Sequence, residues 1–175
     1  MSTKKYEALV HYIIHECRDH PERLGAIRLN KALWFSDVIA YQTEGSSITG
    51  ETYLKRRLGP APRHILPMLR DLQKDGAIVI KEPEFIYESR EFYSMRSPPS
   101  EVLSEYERRL ARAVLDGLLG RTANAVSEMS HDIIWDAADD DEEIPVFATL
   151  VSQPGRVTPD MIEWAREAAP DVEMA

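Results

Sequence analysis

Three groups of residues have the types and spacing that chemistry requires. His11 and His15 lie four residues apart, the interval at which two imidazoles on one helix face can clip a metal ion. Their setting is His-Tyr-Ile-Ile-His, without the intervening glutamate of a metallohydrolase helix. Both point away from the apolar face of their helix, so they read as surface histidines. Ser130-His131-Asp132 supplies the three residue types of a hydrolase triad. Adjacent side chains on a helix diverge by about 100°, however, and cannot align nucleophile, base and orienter. No glycine-flanked nucleophile elbow is present. Ser130 and Asp132 instead suit a helix start, where unpaired N–H groups accept side-chain oxygens. The third group, Asp136 with residues 139 to 143, has the charge for a divalent cation but lacks the glycine and closing glutamate of a calcium loop. It reads as a solvated acidic loop.

Gly45, Gly50 and Gly59 are too widely spaced for a dinucleotide fingerprint or a nucleoside-triphosphate loop. Cys17 is the single cysteine, which excludes an internal disulfide framework and a multi-cysteine zinc site. No catalytic residue, cofactor site or metal site is expected, and the chain reads as a binding protein rather than an enzyme.

Two surfaces remain as binding candidates. Asn30, Trp34, Asp37 and Tyr41 recur at offsets of four, three and four and share one helix face within about 60°. Such a mixed aromatic and polar stripe suits a grooved interface. It equally suits packing against the domain's own loops, with Asp37 paired to Lys31 or an arginine. The second surface is basic: no acidic residue lies between Glu51 and Asp71, while Lys55, Arg56, Arg57, Arg63 and Arg70, with Lys74 beyond, supply positive charge. A helix with a basic outer face, then Gly76, then a hairpin, is the order of a winged-helix DNA reader. A solvated face, or one that meets an acidic protein, needs no more than is present.

The elements that must position these residues follow from periodicity. Lys4 to His20 forms an amphipathic helix with Tyr6, Leu9, Val10, Ile13 and Cys17 inward, stopped by Pro21. A more uniformly apolar and therefore central helix runs from about Ala26 to Thr43, with Gly45 as its C-cap. Ile48-Thr49-Gly50 makes a turn, Glu51 to Arg57 a strand or helical turn, and Gly59 to Pro62 a rigid break. A third helix from near Pro62 buries Ile65, Met68, Leu69 and Leu72 and closes at Gly76. Ala77 to Met95 forms a hairpin. Ser97-Pro98-Pro99 starts a long helix that reaches about Leu119. Thr122 caps a short helix to Met129, and Ser130 or a neighbour starts another through Trp135. Pro145 to Val151 is extended, and Thr158-Pro159-Asp160 opens a last helix through Ala168.

The expected fold is thus mainly α with a small β-hairpin, a compact helical domain with a winged-helix-like central portion. At 175 residues and 43% hydrophobic content, the chain supports one core and is too apolar to be disordered throughout. Residues 1 to 138 form the domain, and 139 to 175 an acidic extension. Residues 1–100 carry 15 basic and 13 acidic side chains, residues 101–175 carry 6 and 17, so polyanion binding by the whole surface is disfavoured. Neither a membrane span nor a signal peptide is expected, and the cytoplasm is the default location.

Leu29-Asn30-Lys31-Ala32-Leu33-Trp34-Phe35-Ser36-Asp37, then Ile48-Thr49-Gly50-Glu51-Thr52-Tyr53, then Leu58-Gly59-Pro60-Ala61-Pro62, resembles the Panacea domain of the SocA-like antitoxins. That pattern has a K-L-L-Y-F-A-D-like helix, an I-T-G-x-x-Y turn and a G-P-x-P step in this order. Here tryptophan replaces the usual tyrosine or leucine and Ser36 stands where alanine is common. Val126-Ser127-Glu128-Met129-Ser130-His131 and Trp135 resemble a further family stretch, so the likeness spans about residues 5 to 138.

The resemblance implies a mainly helical domain that neutralises a protein toxin encoded by a neighbouring gene, in two-gene pairs and prophage regions. One branch also delivers its toxin to an ATP-dependent protease. It implies no catalytic residues. Asn30, Lys31, Trp34, Asp37, Tyr41, Thr49, Gly50, Tyr53, Gly59, Pro60, Ser130, His131 and Trp135 are the family-defining or partner-binding candidates. DNA is the rival partner, and the oligomeric state stays open.

Overall fold

The computed structural model describes residues 3–85 and 89–152. α1 (Thr3–Glu16) and α2 (Gly25–Glu44) are joined by a single 3-10 turn at Pro21–Arg23. α2 is the axis of the molecule: it packs against α1, α4 (Glu105–Leu119) and α5 (Ala123–Glu128). Being surrounded, it has no polar face, and Leu29, Leu33, Ser36 and Ala40 are buried with Lys31 and Asp37. Gly45 ends it by donating its N–H to the Tyr41 carbonyl. α3 (Ile65–Lys74) is strongly two-faced, with Met68, Leu69 and Leu72 inward.

Two small antiparallel ladders complete the domain. β1 (Tyr53–Leu54) pairs with β2 (Ala61–Pro62), with Tyr53 opposite Pro62. Gly59 to Pro62, expected as a simple break, therefore ends in a strand. β3 (Ile78–Lys81) and β4 (Glu91–Ser94) form the expected hairpin. Ile78 and Phe92 are fully buried while Val79 is 44% exposed, the alternation of a strand with one face on the core.

Three expectations are corrected. α4 does not start at Ser97-Pro98-Pro99: each proline biases its preceding residue toward extended backbone. The start lies at Ser104, whose hydroxyl accepts the Glu107 N–H while the Glu107 carboxylate accepts the Ser104 N–H, a reciprocal capping box. Pro145 to Val151 is not extended; a 3-10 turn at Val146–Ala148 leads into α7 (Thr149–Ser152). His11 is not on the surface, because β4 lies across that side of α1. It is 2% exposed, with Nε2 3.0 Å from the Arg96 carbonyl. Burial holds its imidazole below the usual value. His15 Nδ1 meets the Ser94 hydroxyl at 2.9 Å, so both imidazoles fasten the hairpin to α1.

The expected helix from Thr158 to Ala168 lies outside the described residues. No described helix is long and apolar enough to cross a membrane.

Candidate functional site

α2 carries two buried residues of opposite charge, Lys31 and Asp37, and each holds one end of the 46–62 loop. The Asp37 carboxylate, wholly buried, accepts the Thr49 N–H at 2.9 Å and the Tyr53 hydroxyl at 2.8 Å. It also accepts a short hydrogen bond from the Thr49 hydroxyl. The expected pairing with Lys31 or an arginine is thus replaced by three neutral donors. Burial raises the Asp37 carboxyl above the usual carboxylate range, against the opposing pull of these hydrogen bonds. Gly50 turns the chain at φ 64°, a backbone that side chains rarely tolerate, and its N–H reaches the Ser47 hydroxyl at 3.2 Å.

Around Asp37 the polar network continues inward. Thr49 Oγ1 accepts the Glu51 N–H at 3.0 Å. Glu51 Oε1 accepts the Thr52 N–H at 2.7 Å and lies 2.9 Å from His64 Nδ1. Among the described residues, Glu51 Oε2 and the Tyr6 hydroxyl have no hydrogen-bond partner. Burial, then the charges of Glu51 and Asp37, push the Tyr6 phenol upward. Trp34 stands edge-on to Tyr53 at 4.9 Å between ring centres, so it supports the tyrosine rather than facing solvent.

Lys31 holds the other end of the loop. Its ammonium donates to the Pro60 carbonyl at 2.7 Å, and burial lowers its pKa to about 7. Gly59 has φ 89°, and a Cβ there would overlap both the Lys31 ammonium and the Ser130 hydroxyl. Glycine is therefore required twice over, by backbone conformation and by space.

The 126–135 stretch closes over the same loop. Ser127 Oγ donates to the Leu58 carbonyl at 3.0 Å, and Trp135 Nε1 to the Arg56 carbonyl at 3.2 Å. Ser130 Oγ donates to the Ser127 carbonyl. His131 stacks on Trp135 with ring centres 3.9 Å apart, and the Lys55 ammonium lies 4.5 Å above that indole. Asp132 caps α6 (Ile133–Ala137) by accepting the Ile134 and Trp135 N–H groups. Ser130, His131 and Asp132 thus point to three different tasks, none of them toward one another.

The basic candidates divide. Arg56 pairs with Asp141 and Arg63 with Glu143, and the Lys55 ammonium donates to the Ala138 carbonyl at 2.8 Å. Backbone bonds fix the same contact: Lys55 N–H to Glu142 O at 2.8 Å and Ile144 N–H to Tyr53 O at 2.8 Å. The acidic side chains 139–143 are thus exposed, as expected, while the backbone of the loop is tied to the outer edge of β1 and Ile144 behind it is buried. Arg57, Arg70 and Lys74 are exposed, without an ion pair among the described residues.

Of the α2 stripe, Trp34 and Asp37 are interior while Asn30 and Tyr41 are half-buried. Trp34 and Asp37 pack on the domain's own 46–62 loop, whereas Asn30 and Tyr41 border open clefts. Sequence reasoning overlooked Tyr6, Glu51, His64 and Ser127 as members of this network. Ser127 and Glu51 carried a signal, since each lies inside a matched motif. Among the described residues no group of three metal-ligating side chains gathers.

No curated protein and no solved structure matches the chain. A family model described as antitoxin SocA-like, Panacea domain, matches residues 29–136, the span that holds α2 after its first turn, the clamped loop and the segment that closes over it. The chain belongs to the SocA-like antitoxin Panacea domain family.

Proposed function

We propose that this chain binds and neutralises a protein toxin encoded beside it. The observation that carries the reading is the family match over residues 29–136. A surface suited to a protein partner supports it. Met129, Ile133, Phe147 and Leu150 are 48%, 67%, 60% and 51% exposed, and they belong to neighbouring short elements near the end of the described chain. Beside them a cleft is bordered by Phe35, Ile39, Met129 and Asp132. Exposed large apolar side chains grouped beside a polar rim favour a macromolecular partner over bare solvent.

Co-expression with the neighbouring gene product should yield one complex on size-exclusion chromatography and should relieve growth arrest caused by that product alone. Separate elution with no relief defeats the reading. The finer role of proteolytic adaptor predicts that the toxin's half-life shortens when this chain and an ATP-dependent protease are both present. Because the partner is the product of a neighbouring gene, the cytoplasm, where both chains are made, is the proposed site of action.

A second reading, DNA binding, draws on Arg57, Arg70 and Lys74, exposed cations of the basic stretch without an ion pair among the described residues, and on the hairpin that follows α3. Asp141 and Glu143 of the acidic loop pair with Arg56 and Arg63, which weakens the field a duplex would meet. Retention of a short duplex that falls steeply with salt, and falls further on replacing Arg70 and Lys74, is the outcome that would favour it.

A further inference from the structure

Lys31 is 2% exposed, and its ammonium uses one of three donors on the Pro60 carbonyl. Among the described residues it meets no carboxylate. A buried cation without counter-charge is costly, and this one forms part of the wall of an open cavity of about 390 Å³. Ala26, Ile27 and Leu58 give that cavity apolar sides, and Asn30 and Arg57 give it polar ones. Arg56 is neutralised by Asp141, whereas its neighbour Arg57 is not. The space thus offers a buried cation, an exposed cation and apolar walls. Its complement is a carboxylate carried on a short methylene stem.

Captured chain ends meet nests of backbone N–H groups. Here the cations are side chains, which favours an acidic side chain as occupant. We propose that this cavity receives a glutamate or aspartate of the protein partner, its carboxylate pairing with Lys31 and Arg57 while its methylenes pack on Ala26, Ile27 and Leu58. This rests on the reading that the chain binds a protein, and it names the chemistry by which one contact of that complex is made.

Two measurements separate the two ideas. In the full chain labelled with ¹⁵N at lysine Nζ, N-acetylglutamate N-methylamide should shift the Lys31 resonance, identified by its loss in Lys31→Met. The uncharged N-acetylglutamine N-methylamide should leave it in place. Equal responses to both probes, or to neither, overturn the proposal. In the complex with the neighbouring gene product, Lys31→Met and Arg57→Glu should each weaken binding at least tenfold. Arg57 is exposed, so that variant keeps the fold if Lys31→Met does not. A complex of undiminished affinity in both variants sinks the carboxylate contact and leaves the toxin reading standing. No complex, with the glutamate probe still bound, removes the toxin reading and supports the site.

Discussion

Replacing Lys31 by methionine should stabilise the fold at pH 7 and should remove a rise in stability that we expect of the wild-type chain between pH 7 and 9. In the unfolded chain the amine keeps its proton up to pH 10.5, and in the fold burial brings that value down to about 7. Between these limits the unfolded chain binds more protons. Stability therefore increases with pH, at up to about 1.4 kcal/mol per unit. From pH 7, where the folded amine is half-protonated, to pH 9, where it is nearly bare, the gain is about 2 kcal/mol. Protonation at pH 7 burdens the fold by about 4 kcal/mol on the same linkage. Methionine removes that burden but orphans the Pro60 carbonyl, at about 1–3 kcal/mol, leaving the variant ahead by about 1–3 kcal/mol. Asp37, whose carboxyl is raised, and Cys17, whose thiol is pushed up to about 11, titrate with the opposite sign. They are common to both chains, so the difference between the chains isolates Lys31. Urea denaturation at pH 7, 8 and 9, followed by intrinsic tryptophan fluorescence, reads that difference. With a slope of about 2 kcal/mol per molar urea, the wild-type midpoint should gain about 1 M on the variant over this range. Parallel pH profiles, or a variant that unfolds earlier at pH 7, would refute the reasoning.

Asp37→Asn leaves one acceptor oxygen where two now receive three donors, so buried groups on Thr49 or Tyr53 lose their partners. We expect a loss of about 2–4 kcal/mol in chemical denaturation, and a change under 1 kcal/mol would show that the loop is held elsewhere. Gly59→Ala must adopt an unfavourable φ and displace Lys31 or Ser130; about 1–3 kcal/mol of destabilisation is expected, with a larger deficit for valine. Ser104→Ala removes half of the capping box of α4 and should cost about 1 kcal/mol, measured as a drop in thermal midpoint. The double substitution Pro98→Ala with Pro99→Ala should instead leave that helix start unmoved, as read by amide exchange at residues 105–108.

The helices were legible because their signals are local. Gly45 and Gly76 mark two ends, and the two-faced pattern of α3 follows directly from Ile65, Met68, Leu69 and Leu72. The start of α4 was also written locally, as Ser104-x-x-Glu107, but the prolines at 98 and 99 gave a competing signal that resembled a helix opening. His11 was misplaced for a different reason. Its exposure depends on β4, a segment about 80 residues away, and no periodicity within α1 contains that contact. The same limit applies to the acidic loop: its charge predicts solvation, while the pairing of residues 141–144 with β1 and Arg56 is set by distant backbone donors.

The motifs themselves proved legible as a set and ambiguous in purpose. A tryptophan and an aspartate on one face of α2 have the composition of an interface, yet Trp34 supports Tyr53 and Asp37 receives Thr49 and Tyr53. Lys31, Gly59, Ser127 and Trp135 likewise act on the 46–62 loop. Residues so engaged with their own chain have little freedom to adapt to a partner, because moving any of them leaves a buried donor, acceptor or charge unmatched. What they can do is hold the loop rigid, and a rigid loop presents Arg57 and the mouth of the Lys31 cavity in one fixed geometry. Preorganisation of that kind lowers the ordering cost of association. On this argument Trp34, Asp37, Gly59, Ser127 and Trp135 would serve the proposed binding at second hand, by fixing the shape that Arg57 and the cavity at Lys31 offer, and substitutions at Met129, Ile133, Phe147 or Leu150 should alter the partner's affinity without altering the stability of the clamp.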